Sequence, residues 1–178
     1  MAEDDTTKNH PSPLLQKGIA QVAILVKDLE ATVENYQKVF GIGPWYFYTY
    51  GKPFVKEMSY HGHPADYKIR IALAQLGPIR IELIEVQEGD SIYADFLREH
   101  GFGVHHLGVL VEDMPETLIQ AGFIGLNMIQ DGSGFGADSD GHYAYLDTEQ
   151  QFGVTFELIE RPRLRMPPEK IFPPGTGS

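Results

Sequence analysis

The stretch Gly103-Val-His-His-Leu-Gly-Val-Leu-Val-Glu-Asp-Met114 decides the fold, because the chain carries an earlier version of it. The earlier version is Ala20-Gln-Val-Ala-Ile-Leu-Val-Lys-Asp-Leu29. Both stretches contain a polar residue, then an apolar run typical of a buried strand, then an aspartate suited to cap a helix. A supersecondary unit that occurs twice predicts two similar modules that pack on each other.

The repeat extends to the last strand of each predicted module. Ile79-Arg-Ile-Glu-Leu-Ile-Glu85 returns as Val154-Thr-Phe-Glu-Leu-Ile-Glu160. Alignment of the two copies pairs residues of the metal-ligand type at equivalent places, Gln21 with His106 and Glu82 with Glu157. Each predicted module therefore contributes one such residue from its first strand and one from its last.

The predicted order of elements in each module is a strand, a helix and further antiparallel strands. The sequence therefore predicts an α+β protein whose two tandem βαβββ modules form an open, incompletely closed β-barrel with a cleft. The expected boundaries are a disordered N-terminal tail over 1–16, a first module over 17–90, a linking helix over 91–102, a second module over 103–162 and a proline-rich extended arm over 163–178.

Three segments carry more specific expectations. Phe54–Tyr60 is expected to pair with the aromatic strand Trp45–Tyr50. Alternate members of that aromatic strand are expected to line an apolar wall, although aromatic residues in strands more often belong to the core. The glycine- and aspartate-rich segment Gln130–Gly141 lacks the ligand spacing of a calcium-binding loop and is expected to be a mobile loop over a cleft.

Composition excludes several functional classes. The formal net charge of −11 argues against nucleic acid and membranes as partners, because both are bound by basic clusters. The chain has no cysteine, which excludes a disulfide framework, a thiolate metal site and a cysteine nucleophile. The first residues lack the basic-then-apolar order of a signal peptide, and we expect a cytoplasmic protein.

The four paired polar residues, Gln21, Glu82, His106 and Glu157, are candidate metal ligands. The two-residue period of a strand places each glutamate opposite the apolar positions that pack on a helix. A carboxylate in such a strand is costly unless it is hydrated, paired or bound to a cation. A single strand histidine or glutamate is more often a core or exposed residue, but four at equivalent places favour one shared site. Their donor atoms suit Zn²⁺, Co²⁺, Mn²⁺, Fe²⁺ or Ni²⁺.

These motifs resemble the vicinal oxygen chelate superfamily, which contains glyoxalase I, methylmalonyl-CoA epimerase, extradiol dioxygenases and proteins of bleomycin or fosfomycin resistance. The resemblance rests on the paired helix openings, the Gly-Val-His-His-Leu segment and both Glu-Leu-Ile-Glu strands, and it covers about residues 18–162. The segment from Ser91 to Leu107 is most similar to methylmalonyl-CoA epimerase. The ligand set departs from that family, which usually has His at the place of Gln21, and instead resembles the Gln-Glu-His-Glu set of some glyoxalases I.

The resemblance implies a metal-dependent epimerase or racemase that moves a proton beside a carbonyl group through a metal-stabilised enolate. The implied substrate is a small-molecule carbonyl compound, either a methylmalonyl-CoA-like acyl-CoA or an aromatic, flavonoid-type ketone. We expect Glu157 and Glu82 to be the acid–base residues. Glu57, His61 and His63, expected at the inner end of a strand, are secondary candidates, although residues in such a hairpin are more often exposed to solvent. The resemblance also implies a homodimer.

Two alternative functions remain open. A glyoxalase I-type lactoylglutathione lyase would isomerise a glutathione hemithioacetal at the same kind of site. A resistance or binding protein of the same fold would sequester its ligand without turnover and without a metal. An extradiol dioxygenase fits less well, because its iron site uses two His and one Glu, while this chain has one His at the four positions.

Overall fold

The computed structural model describes residues 13–174 of the 178-residue chain. Most of the tail predicted over 1–16 therefore lies outside the described residues, as does the end of the C-terminal arm. Within that predicted tail, Pro13–Leu15 form a short 3-10 helix. The described helices are all too short or too polar to cross a membrane.

The described residues form eleven strands and four α-helices. The strands are β1 (Gln21–Leu25), β2 (Trp45–Tyr50), β3 (Glu57–Tyr60), β4 (His63–Pro64), β5 (Lys68–Leu76), β6 (Ile79–Glu88), β7 (Gly103–Val111), β8 (Met128–Phe135), β9 (Gly141–Leu146), β10 (Thr155–Glu160) and β11 (Lys170–Phe172). The helices are α1 (Leu29–Phe40), α2 (Ile92–Glu99), α3 (Met114–Phe123) and α4 (Glu149–Phe152).

All eleven described strands belong to one sheet, in the order β11-β2-β5-β6-β1-β7-β10-β9-β8-β3-β4. Each module pairs its first and last strands in parallel, β1 with β6 and β7 with β10. The two modules join through the antiparallel pair of β1 and β7 in the middle of the sheet. The sheet curls into an open half-barrel, which confirms the predicted α+β fold.

The start of the helix is built in the same way in both modules. Asp28 and Asp113 cap α1 and α3, and each carboxylate accepts a hydrogen bond at 2.9 Å from the backbone N–H three residues later. The first N–H of each helix donates to a glutamate at the end of the module's last strand, Glu85 at 2.7 Å and Glu160 at 3.1 Å. These bonds tie the helix to the strand that carries a candidate ligand.

The two faces of the sheet bury different kinds of side chain. On the outer face, Ile81 and Leu83 pack with α1, and Leu158 packs near α3, as the two-residue period predicts. The inner face holds an aromatic cluster that both modules share, together with α2. Glu82 lies between Ile81 and Leu83 in sequence, and it therefore points to this inner face.

The hairpin of β3 and β4 differs from the prediction. Phe54–Tyr60 does not pair with β2; its strand part pairs with β8 of the second module, Met58 opposite Gly132. The segment before β3 contributes Val55 to the inner cluster, where it is fully buried. Burial of this apolar residue over the inner face, rather than extension of the β2 edge, explains the crossing from one module to the other.

The predicted mobile loop Gln130–Gly141 is also corrected, because its first half is strand β8. Its glycines lower the strand propensity but allow close packing. A Cβ atom at Gly132 would lie 2.2 Å from the hydroxyl oxygen of Tyr143 on the neighbouring strand. The glycine is therefore needed for the tyrosine to occupy the inner face.

The C-terminal arm lies against the protein's own sheet. The backbone N–H of Ala137 donates to the carbonyl of Leu164 at 2.9 Å, and β11 pairs with β2 at the sheet edge. Pro162, two residues before the first of these attachments, is buried. The arm therefore runs from the second module back to the first, beside the inner face.

Candidate metal centre

Four neighbouring strands in the middle of the sheet carry the four predicted ligands. In sheet order these strands are β6, β1, β7 and β10, and they present Glu82, Gln21, His106 and Glu157. The relative exposures are 7%, 2%, 0% and 5%, so two carboxylates are almost fully withdrawn from water. The structure brings all four side chains together on the inner face.

The closest approach is between one imidazole nitrogen and two carboxylate oxygens. His106 Nε2 lies 3.2 Å from Glu157 Oε2 and 3.4 Å from Glu82 Oε2. The three potential ligand atoms all lie within 4.8 Å of one another. His106 Nε2 has no partner that meets the full geometry of a hydrogen bond within residues 13–174. A proton or a cation between the three atoms would interact with all of them.

The partner of His106 on its far side is His105. The two Nδ1 atoms are 2.8 Å apart. His105 also hydrogen-bonds the backbone of Ile92 in the sense that raises its pKa, as donation to a carbonyl does. Burial nevertheless holds the pKa of His105 well below its ordinary value, so its ring is neutral and has one N–H. That N–H donates to the backbone carbonyl of Ile92. The Nδ1 atom of His105 is then an acceptor, and Nδ1–H of His106 donates to it.

This chain of hydrogen bonds determines the state of the exposed nitrogen of His106. With its proton on Nδ1, a neutral His106 directs the lone pair of Nε2 at two carboxylates, which is unfavourable unless a proton or a cation lies between them. Burial lowers the pKa of His106, but the negative charges of Glu157 and Glu82 outweigh it and raise the pKa to about 9. The arrangement of an oriented imidazole with two carboxylates fits a divalent cation.

Gln21 is oriented differently from a ligand. Arg80 donates to Gln21 Oε1 from Nε at 3.0 Å and from Nη2 at 2.7 Å. Gln21 Nε2 donates to Glu82 Oε2 at 2.9 Å and to Glu157 Oε2 at 3.1 Å. Since arginine is only a donor, the amide oxygen must face it, and the amide nitrogen faces the carboxylates. In this orientation Gln21 supports the carboxylates and does not offer its oxygen to the centre.

Gly108 makes the space for these contacts. It is opposite Gln21 in β1 and opposite Glu157 in β10. A Cβ atom there would lie 2.9 Å from the Cβ of Gln21, 2.7 Å from Ile159 Cδ1 and 3.2 Å from Glu157 Oε2. A side chain at this position would therefore displace two of the four converging groups.

The two carboxylates differ in their remaining contacts. Glu157 Oε1 accepts a hydrogen bond of 2.8 Å from the hydroxyl of Tyr145, which lies 2.7 Å from the hydroxyl of Tyr93. Burial, followed by the charge of Glu157, raises the pKa of Tyr145 well above its ordinary value, and the phenol stays a donor. Glu82 Oε1 has no hydrogen bond within residues 13–174. Both oxygens of Glu157 therefore accept hydrogen bonds, whereas only Oε2 of Glu82 does within the described residues.

A small cavity lies over the converging groups. It is lined by both carboxylates, by aromatic rings of the inner cluster and by Arg80, Arg161 and Arg165. About 40 Å³ is free for water-sized groups, which is enough for a cation and a few small atoms. Only the reacting end of a larger substrate fits here without movement of the surrounding side chains.

The secondary candidates do not lie in this cavity, and their exposure agrees with the alternative that residues in this hairpin face solvent. Glu57, His61 and His63 are exposed on the β3–β4 hairpin. Glu57 lines a surface depression near Ser133, and His61 lines another near Asp95. Their strand was expected beside β2, and its pairing with β8 moves them away from the centre.

The aromatic strand β2 alternates as predicted. Trp45 and Phe47 pack in the outer cluster with α1, while Tyr48 belongs to the inner cluster and Tyr50 packs against it. Tyr50 also lines the cavity above the carboxylates. Part of this strand therefore forms an aromatic wall on the inner face, and the rest is core.

Sequence reasoning missed the three arginines and Tyr145. Arg165 lies in the arm predicted over 163–178 and Arg161 lies two residues before it, and no motif connects this part of the chain to a site far away in the sequence. Arg80 lies two residues before Glu82 in β6, and residues two apart in a strand share a face. This spacing could have indicated that Arg80 lies beside Glu82. Tyr145 lies two residues after Tyr143 in β9, on the same face, and is opposite Glu157 in the neighbouring strand β10.

The fold and the centre together place the chain in a family. The profile of the glyoxalase/bleomycin resistance protein/dioxygenase superfamily matches residues 20–145, and the chain belongs to this superfamily. Its members typically bind divalent metal ions, and the buried group of Glu82, His106 and Glu157 is able to hold one.

Individual relatives are more distant. The uncharacterized protein YqjC of Bacillus subtilis is 30% identical over 95 residues, which cover 53% of this chain and 67% of YqjC. Among solved structures, methylmalonyl-CoA epimerase from Mycobacterium tuberculosis is 20% identical with a TM-score of 0.59, over 86% of this chain and 94% of the epimerase. A variant of the Streptomyces coelicolor epimerase, in complex with 2-nitronate-propionyl-CoA, is 21% identical with a TM-score of 0.58, over 84% and 97%. At these identities the likeness is one of fold.

Proposed function

We propose that this protein is a divalent-metal-dependent epimerase or racemase that moves a proton at a carbon next to a carbonyl group. The observation that carries the proposal is the convergence of His106 Nε2 with Glu82 Oε2 and Glu157 Oε2, at 3.4 and 3.2 Å, in a buried group. We assign these three residues as the metal ligands. Gln21, expected as the fourth, is assigned to hold the two carboxylates in place.

A bound divalent cation would polarise the carbonyl oxygen of a substrate and stabilise negative charge that develops there, by several kcal/mol. The protein's own residues handle the proton. Glu82 has a free oxygen, Oε1, and we assign it as the group that removes the α-proton. Glu157 has both oxygens engaged, by Tyr145 on one side and by Gln21 on the other, and it returns the proton directly or through a water.

The positions of the two carboxylates support inversion at the reacting carbon. Glu82 and Glu157 lie on β6 and β10, which are separated by the two central strands. A substrate whose reacting carbon lies over the two carboxylates would have one of them on each side. Removal of the proton on one side and its return on the other converts one stereoisomer into its mirror form at that centre.

We propose an acyl-CoA or a flat aromatic ketone as substrate. The epimerase neighbours support an acyl-CoA through their common fold. The aromatic wall that includes Tyr48 and Tyr50 supports a flat ring system equally well. The 40 Å³ above the carboxylates admits the carbonyl end in either case.

Isotope exchange tests the proposal. The zinc-loaded protein is incubated in D₂O with methylmalonyl-CoA and, separately, with a chiral flavanone, and deuterium at the α-carbon is followed by NMR. We expect exchange with one of these substrates, loss of exchange on chelation, and a loss of at least about 100-fold in Glu82→Gln and Glu157→Gln. Undiminished exchange in both variants would contradict the assignment of the acid–base pair.

A lactoylglutathione lyase is the second candidate, because the same four side chain types converge here as in some glyoxalases I. Formation of the thioester from methylglyoxal and glutathione, at a rate above that of the metal-free protein, would favour it. If the protein instead binds a ligand without turnover and without a metal, plasma mass spectrometry should find no divalent ion bound to the purified protein. The homodimer and the domain boundaries stay predictions, and sedimentation velocity tests the former.

A further inference from the structure

The six arginines of the chain divide into two groups. Arg70, Arg98 and Arg163 each form an ion pair with a nearby carboxylate. The other three, Arg80, Arg161 and Arg165, line the cavity over the candidate metal centre, and within residues 13–174 none of them forms an ion pair. In a chain with 25 acidic and 14 basic residues, three unpaired arginines at one cavity are not explained by the average charge.

The three side chains are close enough to affect one another. Burial and, after it, the charge of Arg165 lower the pKa of Arg80 to about 10. Arg161 shows the same two effects, with burial again the larger. The mutual repulsion of the three positive guanidinium groups costs free energy that a bound anion would remove.

The cavity continues into a second, wider depression. Leu73, Arg80 and Arg165 line both, and the second holds about 270 Å³ between Tyr46 and Tyr48. A molecule that extends from the carboxylates to this depression must pass the arginines. The order along the path is therefore the reacting end, a positive region and an aromatic groove.

We propose that Arg80, Arg161 and Arg165 bind an anionic oxygen group of the substrate, a carboxylate or a phosphate, and thereby restrict the substrate to acidic molecules. The inference deepens the proposed function and rests on it only for the reacting end of the molecule. Arginine suits this role because its planar donors match the oxygens of both groups in a bidentate manner. Arg165 comes from the C-terminal arm and Arg161 lies two residues before the arm begins, so this end of the chain becomes part of the substrate site.

Binding of simple anions to the full chain tests the site without turnover. The probes are benzoate, phenyl phosphate and the neutral analogue benzamide, whose ring fits the aromatic groove. Each is titrated into metal-free and Zn²⁺-loaded protein, and the Nε–Hε signals of the arginines are followed by NMR. The test variant is Arg161→Gln/Arg165→Gln, which changes two exposed side chains, and the control is Arg163→Gln on the same arm, whose side chain pairs with Asp140 instead.

We expect both anions to shift the signals of Arg80, Arg161 and Arg165, and benzamide to leave them unchanged. The double variant should bind both anions at least about tenfold more weakly, and the control should bind them as the native protein does. The tighter of the two anions identifies the group as carboxylate or phosphate. Equal binding of benzamide, or equal losses in the control and the double variant, would overturn the inference. Anion binding without isotope exchange would instead overturn the proposed function alone.

Discussion

Arg80 donates two hydrogen bonds to the same atom, Gln21 Oε1, at 3.0 and 2.7 Å, and by this contact it orients the amide at the centre. The opposite end of the amide donates to Glu82 and Glu157, which would otherwise repel each other. Gln21 therefore bridges the half-buried guanidinium group of Arg80 and two carboxylates. Arg80 therefore makes Gln21 a support for the two carboxylates and not a metal ligand.

This bridge predicts different effects at two of the four converging positions. Gln21→Ala should keep one metal ion per chain and lose about 10- to 100-fold in affinity, as the loss of an outer partner of a ligand does. His106→Ala should lose stoichiometric binding, because it removes the one nitrogen donor of the centre. Isothermal titration with Zn²⁺ measures both. Loss of stoichiometric binding in Gln21→Ala as well would make Gln21 a ligand.

Gly108 is the second position where a small change should have a large effect. Gly108→Ala places a methyl group against the Cβ of Gln21 at 2.9 Å and near Glu157 Oε2 at 3.2 Å. We expect a loss of about 1–3 kcal/mol in the free energy of unfolding, together with weaker Zn²⁺ binding, because the core is overpacked at the centre. Urea denaturation and zinc titration measure the two effects.

Gly122→Ala is the matched control for this substitution. Gly122 lies in α3, and a Cβ atom there meets nothing within 4 Å. Alanine in the helix should stabilise the protein by about 0.5–1 kcal/mol and leave metal affinity unchanged. If both glycine substitutions weakened the binding of zinc equally, crowding at Gly108 would not be the cause.

The pKa of His106 predicts how metal binding depends on pH. The pKa is raised from its ordinary 6.5 to about 9 in the metal-free protein, so the ring is protonated throughout the neutral range. A cation must displace this proton, and binding near pH 7.5 should release about one proton per metal ion. The affinity should rise about tenfold per pH unit up to about pH 9 and then level off. Calorimetric titrations in buffers of different ionisation enthalpy count the protons that are released. A count near zero would contradict the assignment of a protonated His106 in the metal-free protein.

The sequence repeat was sufficient for most of the fold and for the position of the centre. Parity within β6 and β10 placed Glu82 and Glu157 on the face opposite the helices, because strand geometry is regular. The crossing of β3 to β8 was not predictable, since both possible partners offer the same backbone hydrogen bonds and only burial over the inner face distinguishes them. Pairing preferences are weaker than the packing that decides between them.

The periodicity of the strands could not predict the contacts around the centre, for a different reason. The amide orientation of Gln21 depends on Arg80. The charge of the cavity depends on Arg161, directly after β10, and on Arg165 in the arm. Each of these effects arises from a pair of residues distant in sequence. A repeat identifies equivalent positions, but the arm belongs to neither copy.

The hydrogen bond from Tyr145 to Glu157 gives a prediction that separates stability from chemistry. Tyr145→Phe removes the 2.8 Å bond to Glu157 Oε1 and leaves the hydroxyl of Tyr93 without its partner. We expect a loss of about 0.5–1.5 kcal/mol in the free energy of unfolding, and slower isotope exchange, because Glu157 is then free to turn. Tyr67→Phe is the control, since it removes a similar buried contact, the 3.0 Å pair with Tyr143, which does not touch Glu157. The control should lose comparable stability and keep the exchange rate of the native protein. Equal slowing in both variants would show that the inner cluster acts through packing alone, and that the orientation of Glu157 does not depend on the phenol.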